Sequence, residues 1–399
     1  MSDSRDRSTA LTEFIGLCGA RGWDARMASL RGIGATREGK GAMQRHAIEL
    51  IIDRLSRARS DRVLTAAEQR IADYATNAVT LHQQLTSAGR IRFQALLAAA
   101  LTGENCLVPA FHLLRTAALQ HSRAFEIGYA GLEDGAPFDL LIRRGSAEAE
   151  IACDVVSAEE GRGVHRGAWC RLVDRIDPEL QTWLRAHPGR YLMKLTFPLG
   201  LKLPGCDESG MLAALQRRVS QMLAEQRRAD SDEALVLRLD PLMLAAAQAD
   251  ELGLMPRLRE EFGPEAHLSV SAGSGGLFVL AARAGQQNDI AAAVRRRMAA
   301  IVPGRLTGTR PGILAMFIED TDRLEWRLLR EKLELEGEAR QFLTNPAARG
   351  VVAITCSSRL ELFGIGAPDA APDGELRFRN QAHPAAKQID LAPAVLSSM

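Results

Sequence analysis

The chain has 399 residues, 46% of them hydrophobic and 25% charged, with a formal net charge of +1. That is the make-up of a folded globular protein with room for two domains, and it excludes a disordered or collagen-like chain. No apolar run reaches the length of a membrane span, and the amino terminus, Met-Ser-Asp-Ser-Arg-Asp-Arg-Ser, mixes charges of both signs without an apolar segment. A soluble, cytoplasmic protein with no membrane partner and no secretory signal is therefore expected.

Helical spacing of apolar residues dominates the first 120 positions: Ala10 to Cys18, Met43 to Leu55, Leu64 to Leu85, Phe93 to Leu101 and Val108 to Ala118. Four or five helices in a bundle are expected over residues 1–122. From Phe125 the period shortens to two. Strands are expected at Phe125 to Tyr129, Phe138 to Arg143 and Glu148 to Val156, joined by turns at Glu133-Asp-Gly135 and Arg144-Gly-Ser146. A helix over Trp169 to Leu184, a strand over Arg190 to Phe197, a helix over Met211 to Arg228 and a strand over Ala234 to Leu239 follow. His267 to Ser271 and Leu277 to Ala282 read as a hairpin around Gly273-Ser-Gly-Gly276, ahead of a helix at Asp289 to Ile301. Gly312 to Ile318, a helix near Arg323 to Leu343, Val351 to Cys356 and Leu376 to Arg379 extend the same mixed sheet. The fold class read from this pattern is α/β: a helical bundle over 1–122, then an α/β domain over 123–399 with a mixed sheet flanked by helices.

Chemistry-bearing residues concentrate in the first three strands. Asp139 stands at the head of the second strand, and Glu150, Ala152 and Asp154 alternate on one face of the third, with Ile151, Cys153 and Val155 on the other. A carboxylate in an apolar strand is costly unless something pairs with it, so these residues are candidates for metal or catalytic work. The six cysteines include no Cys-x-x-Cys pair and no two histidines stand four residues apart, which leaves zinc without a ligand set. Gly34-Ala-Thr-Arg-Glu-Gly39-Lys40-Gly41 has the spacing of a phosphate-binding loop, but glycine takes the place of the hydroxyl residue that would hold magnesium.

The short strand, the Pro137-Phe138-Asp139 strand, the tight turn and the third strand together resemble the core of the PD-(D/E)XK nuclease superfamily. The resemblance implies a restriction-endonuclease-like fold and cleavage of nucleic acid with Mg²⁺ or Mn²⁺. Asp139 matches the family's aspartate. The Glu-x-Lys element has two registers, one using Glu150 with Ala152 in the lysine position, the other replacing Glu by Ala152 and Lys by Asp154, so the family's lysine is missing in both. In an active enzyme Asp139 with Glu150 or Asp154 would hold the metal, and Glu126 would assist. Lys194, Arg162 and Arg166 are the cations in reach of the sequence pattern to replace the lysine. With a decayed site the same core would serve DNA binding or assembly.

Residues 1–125 hold 17 Lys and Arg against 11 Asp and Glu, whereas the remainder is mildly acidic. Arg31, Arg37, Lys40 and Arg45 flank the glycine-rich segment where a helix opens, an arrangement suited to phosphates, and Arg162 and Arg166 follow the third strand. The expected partner is nucleic acid, DNA ahead of RNA. A structural or regulatory subunit that meets a protein partner or a second copy, and no nucleic acid, is the reading from a different class.

Overall fold

A computed structural model describes residues 2–34, 37–58, 62–202, 208–241, 257–259, 261–263, 265–273 and 276–398. Ala35, Thr36, Ser274 and Gly275 of the segments singled out above, and Cys206 among the six cysteines, lie outside the described residues. The described helices and strands, in chain order, are α1 (Ser2–Cys18), α2 (Ala20–Ile33), α3 (Arg37–Arg45), α4 (Ala47–Arg57), α5 (Ala66–Gln84), α6 (Ser87–Ala100), α7 (Val108–Ser122), β1 (Glu126–Gly128), α8 (Ala130–Glu133), β2 (Leu140–Arg144), β3 (Ala147–Ser157), α9 (Arg166–Ala186), β4 (Gly189–Phe197), α10 (Glu208–Ala224), β5 (Ala229–Ser231), β6 (Val236–Pro241), β7 (His267–Gly273), β8 (Gly276–Ala284), α11 (Ile290–Arg305), β9 (Gly312–Glu319), α12 (Arg323–Glu331), α13 (Glu334–Leu343), β10 (Val351–Ser358), α14 (Arg359–Leu362), β11 (Leu376–Arg379) and α15 (Ala392–Val395). The fold is α/β with two mixed sheets flanked by helices. No described helix is long and apolar enough to cross a membrane.

The chain divides into two compact units, residues 1–32, 43–158 and 291–399 in the first and 33–42 and 159–290 in the second. This differs from the division expected near residue 122, and two sheets stand where one was expected. The reason is that period-two patterning announces a strand without naming its partner.

In the first unit, helices pack around rings that meet edge to face: Phe14 with Trp23 and Phe111, and Tyr74 with Phe111. Such pairs add about 1 kcal/mol each beyond the area they bury. Thr65 and Glu68 form a capping box that starts α5, the Glu68 amide donating to the Thr65 hydroxyl and the Thr65 amide to the Glu68 carboxylate, which satisfies two backbone donors. The sheet runs β1-β2-β3-β9-β10-β11. The first three strands form an antiparallel meander, and β9 and then β10 join parallel to β3. Every residue of β9 and β10 is buried, as expected for parallel strands covered on both faces. The β2–β3 turn has two residues, and the first, Gly145, takes φ 55°, a conformation that glycine enters without steric cost.

The second unit holds the sheet β5-β6-β4-β8-β7, with β4 and β8 parallel. Its core lies on one face, where Leu172, Ile176 and Leu180 of α9 and Leu215 and Val219 of α10 join Met193, Leu195, Leu237, Phe278 and Leu280. The two ends of the 159–290 segment of this unit meet. The Asp289 amide donates to the Gly161 carbonyl at 2.7 Å, and a Cβ on Gly161 would stand 2.4 Å from the Ile290 Cα.

One helix expected over Arg323 to Leu343 is two. Leu333 takes φ 59° between α12 and α13, and a left-handed residue cannot continue a right-handed helix.

Candidate functional site

The β2–β3 hairpin and α11 build the site. Asp139 precedes β2, and its carboxylate accepts the Cys153 amide at 2.7 Å, so the side chain serves the strand ladder as an acceptor. Arg305, in the last turn of α11, reaches the same oxygen at 2.5 Å and the Cys153 carbonyl at 3.2 Å, while its Nε donates to the Pro137 carbonyl. Burial raises the Asp139 pKa, and the Arg305 guanidinium is the strongest influence opposing it. Two turns earlier, Arg297 grips Asp154 with a fork, Nε to Oδ2 at 2.5 Å and Nη2 to Oδ1 at 3.0 Å. Positions eight apart lie on one stripe of a helix, which is why a single helix supplies both cations. Glu150, fully buried, accepts the Thr307 amide at 2.9 Å and the Thr307 hydroxyl at 2.5 Å, and Arg310 lies 3.6 Å away.

Each carboxylate is thus answered separately. Oxygen ligands suit a hard divalent cation, but here both oxygens of Glu150 and Asp154 and the Oδ2 of Asp139 already face a guanidinium, a hydroxyl or a backbone amide. Among the described residues no three His, Cys, Asp or Glu side chains converge to hold a metal ion. The arrangement as folded does not fit Mg²⁺ or Mn²⁺. What it does chemically is hold negative charge inside the sheet by charge-assisted hydrogen bonds, the stronger kind.

The other expected site residues are dispersed. Glu126 is exposed in β1, opposite Arg143, and four residues of β2 separate that position from Asp139, about 13 Å. Arg31 is exposed, 3.9 Å from Asp53. The side chains of Arg37 and Lys40 lie outside the described residues. Arg45 pairs with Asp320 at 3.2 Å and with Glu104 at 3.7 Å. Arg162 is buried against Glu159, and the backbone amide of Arg166 donates to that same carboxylate. Lys194 belongs to the second sheet and lies 3.7 Å from Asp240.

Sequence reasoning missed Arg297, Arg305, Thr307 and Arg310. The run Arg295-Arg-Arg297 reads as an exposed helical face by itself. The signal was the buried acids, because each needed a partner and Arg305-x-Thr-x-x-Arg310 stands directly before a strand.

A second group gathers at the carboxyl ends of β3, β9 and β10, where open α/β sheets bind ligands. Asp320 accepts from Ser157 at 2.7 Å, and Arg359 donates to Glu319 at 2.8 Å. Burial and the neighbouring Asp320 push the Glu319 pKa up. The recess there, about 350 Å³, is lined by Arg45, Glu104, Cys106, Ser157, Glu319 and Asp320.

No protein family matched the chain in profile comparison, and no curated protein or solved structure matched it either.

Proposed function

We propose that the chain is a nucleic-acid-associated protein whose restriction-endonuclease-like core is non-catalytic and serves DNA binding or assembly. The order of elements supports the core: a helix, α7, leads into the β1-β2-β3 meander, and after the second unit α11 leads into β9, which pairs parallel to β3. The meander, with Asp139 at the head of β2, is the part on which the resemblance to the PD-(D/E)XK superfamily rests. The observation that carries the non-catalytic reading is the answering of Asp139, Glu150 and Asp154 by Arg305, Thr307 and Arg297. A metal-activated water needs open coordination positions beside its ligands, and guanidinium groups held against the same oxygens oppose a dication at close range.

The test is cleavage and retention of plasmid and single-stranded DNA with Mg²⁺ or Mn²⁺, wild type beside Asp139→Ala. Retention that falls steeply with salt and no metal-dependent cutting are the expected results. Cutting that disappears in Asp139→Ala would instead make the protein an active nuclease. Absence of retention even at low salt would move the function to a protein partner.

A further inference from the structure

The sheet of the second unit has two unequal faces. Opposite the face packed by α9 and α10, strand alternation presents Arg190, Leu192 and Lys194 of β4, Arg238 and Asp240 of β6, and Val279, Ala281 and Arg283 of β8. Leu258 and Phe262 cover Leu192, Val279 and Ala281. Beside them a recess of about 370 Å³ is lined by Lys194, Thr196, Arg238, Phe262, Arg283 and Glu261.

Lys194 and Arg238 are direct partners across β4 and β6. Like charges in that position destabilise a sheet, so the pair is placed against the interest of stability. Arg283 adds a third cation on the neighbouring strand, opposite Thr196 and two residues along from Ala281, the partner of Lys194. Arg190, Arg238 and Arg283 are exposed, and the Lys194 side chain keeps 43% of its surface. Among the described residues the acids on this face are Asp240, 3.7 Å from the Lys194 ammonium, and Glu261. Lys194 also stands 5.8 Å from the centre of the Phe262 ring, so an aromatic surface lies within reach of the same cations.

We propose that this sheet face binds single-stranded DNA, with phosphates between Lys194, Arg238 and Arg283 and a base against Phe262. The inference rests on the nucleic-acid reading above and gives it a surface. Positive groups that track a backbone beside an aromatic ring are the elements of single-strand binding. A duplex keeps its bases stacked and paired, so it cannot offer one to Phe262.

The test is titration of a short labelled oligo(dT) by fluorescence anisotropy across a salt series, with Arg238→Ser and the Arg238→Ser, Arg283→Ser double variant of the full chain. Each phosphate contact removed flattens the logarithmic salt dependence by about 0.7, so the double variant is expected to flatten it by about 1.4 and to bind more weakly at low salt. Arg238→Ser is also expected to unfold at higher urea than the wild type, because the repulsion with Lys194 is gone; a purely structural arginine would lower that midpoint. Unchanged affinity and salt dependence in the double variant would overturn this face while leaving the nucleic-acid reading standing. So would binding of duplex DNA without binding of oligo(dT). Failure of the wild type to bind either DNA at low salt would overturn both.

Discussion

His112 is buried in α7, with Nε2 2.8 Å from the Ala315 carbonyl and its ring against Phe317. Burial lowers its pKa from the ordinary 6.5 to about 4, Arg115 adds to the effect, and the Ala315 carbonyl and Asp154 oppose it. The folded state therefore holds the ring neutral where the unfolded chain takes up a proton. Stability from this residue is complete above pH 6.5 and is lost as the pH falls toward 4, on the order of 3 kcal/mol across the window. His267, lowered to about 3, works in the same direction. Urea unfolding of His112→Leu at pH 7 and pH 5 is expected to show a smaller loss on acidification than the wild type, by about 2 kcal/mol; an equal loss would mean that His112 does not titrate in that window. At this scale the sequence was legible where burial demands a partner and silent about who the partner is. Asp139, Glu150 and Asp154 stood out as costly acids, whereas Arg297 and Arg305 look like any solvated helix until α11 is seen lying over β3.

Among the elements, most strands and helices followed from periodicity because their apolar faces repeat without interruption, as in the fully buried β9 and β10. The break between α12 and α13 did not. Leu333 has no helix-breaking chemistry, yet it takes φ 59° with 59% of its surface exposed. A side chain in the left-handed region costs about 1–2 kcal/mol, and little buried area compensates it here. Leu333→Gly is expected to raise stability by about 1 kcal/mol in chemical denaturation, the gain reduced somewhat by the greater freedom of glycine in the unfolded chain. A loss would show that the leucine makes contacts worth more than the strain.

For the whole molecule, composition announced a folded chain with room for two domains, and the alternation of helical and strand periods announced the α/β class. Neither announced that residues 159–290 interrupt the sequence of the first unit, because nothing in the residues around Ala158 or Ile290 marks a boundary by composition. Residues 159–290 carry their own sheet and their own apolar core, and are expected to fold alone: the isolated segment should give a cooperative thermal transition with mixed α/β circular dichroism. A broad, non-cooperative melt would show that it depends on the rest of the chain. The hydrogen bond between Asp289 and Gly161 that closes the neck of this segment has a further consequence for how the protein is made. When β3 leaves the ribosome, its parallel neighbour β9 has not been synthesised and follows only after on the order of ten seconds of translation. For that interval β3, with Ile151 and Val155 in its ladder, has an open edge of the kind that recruits foreign strands. The intervening segment can reach its own fold in the meantime, and closing its neck delivers α11 and β9 back to the waiting edge.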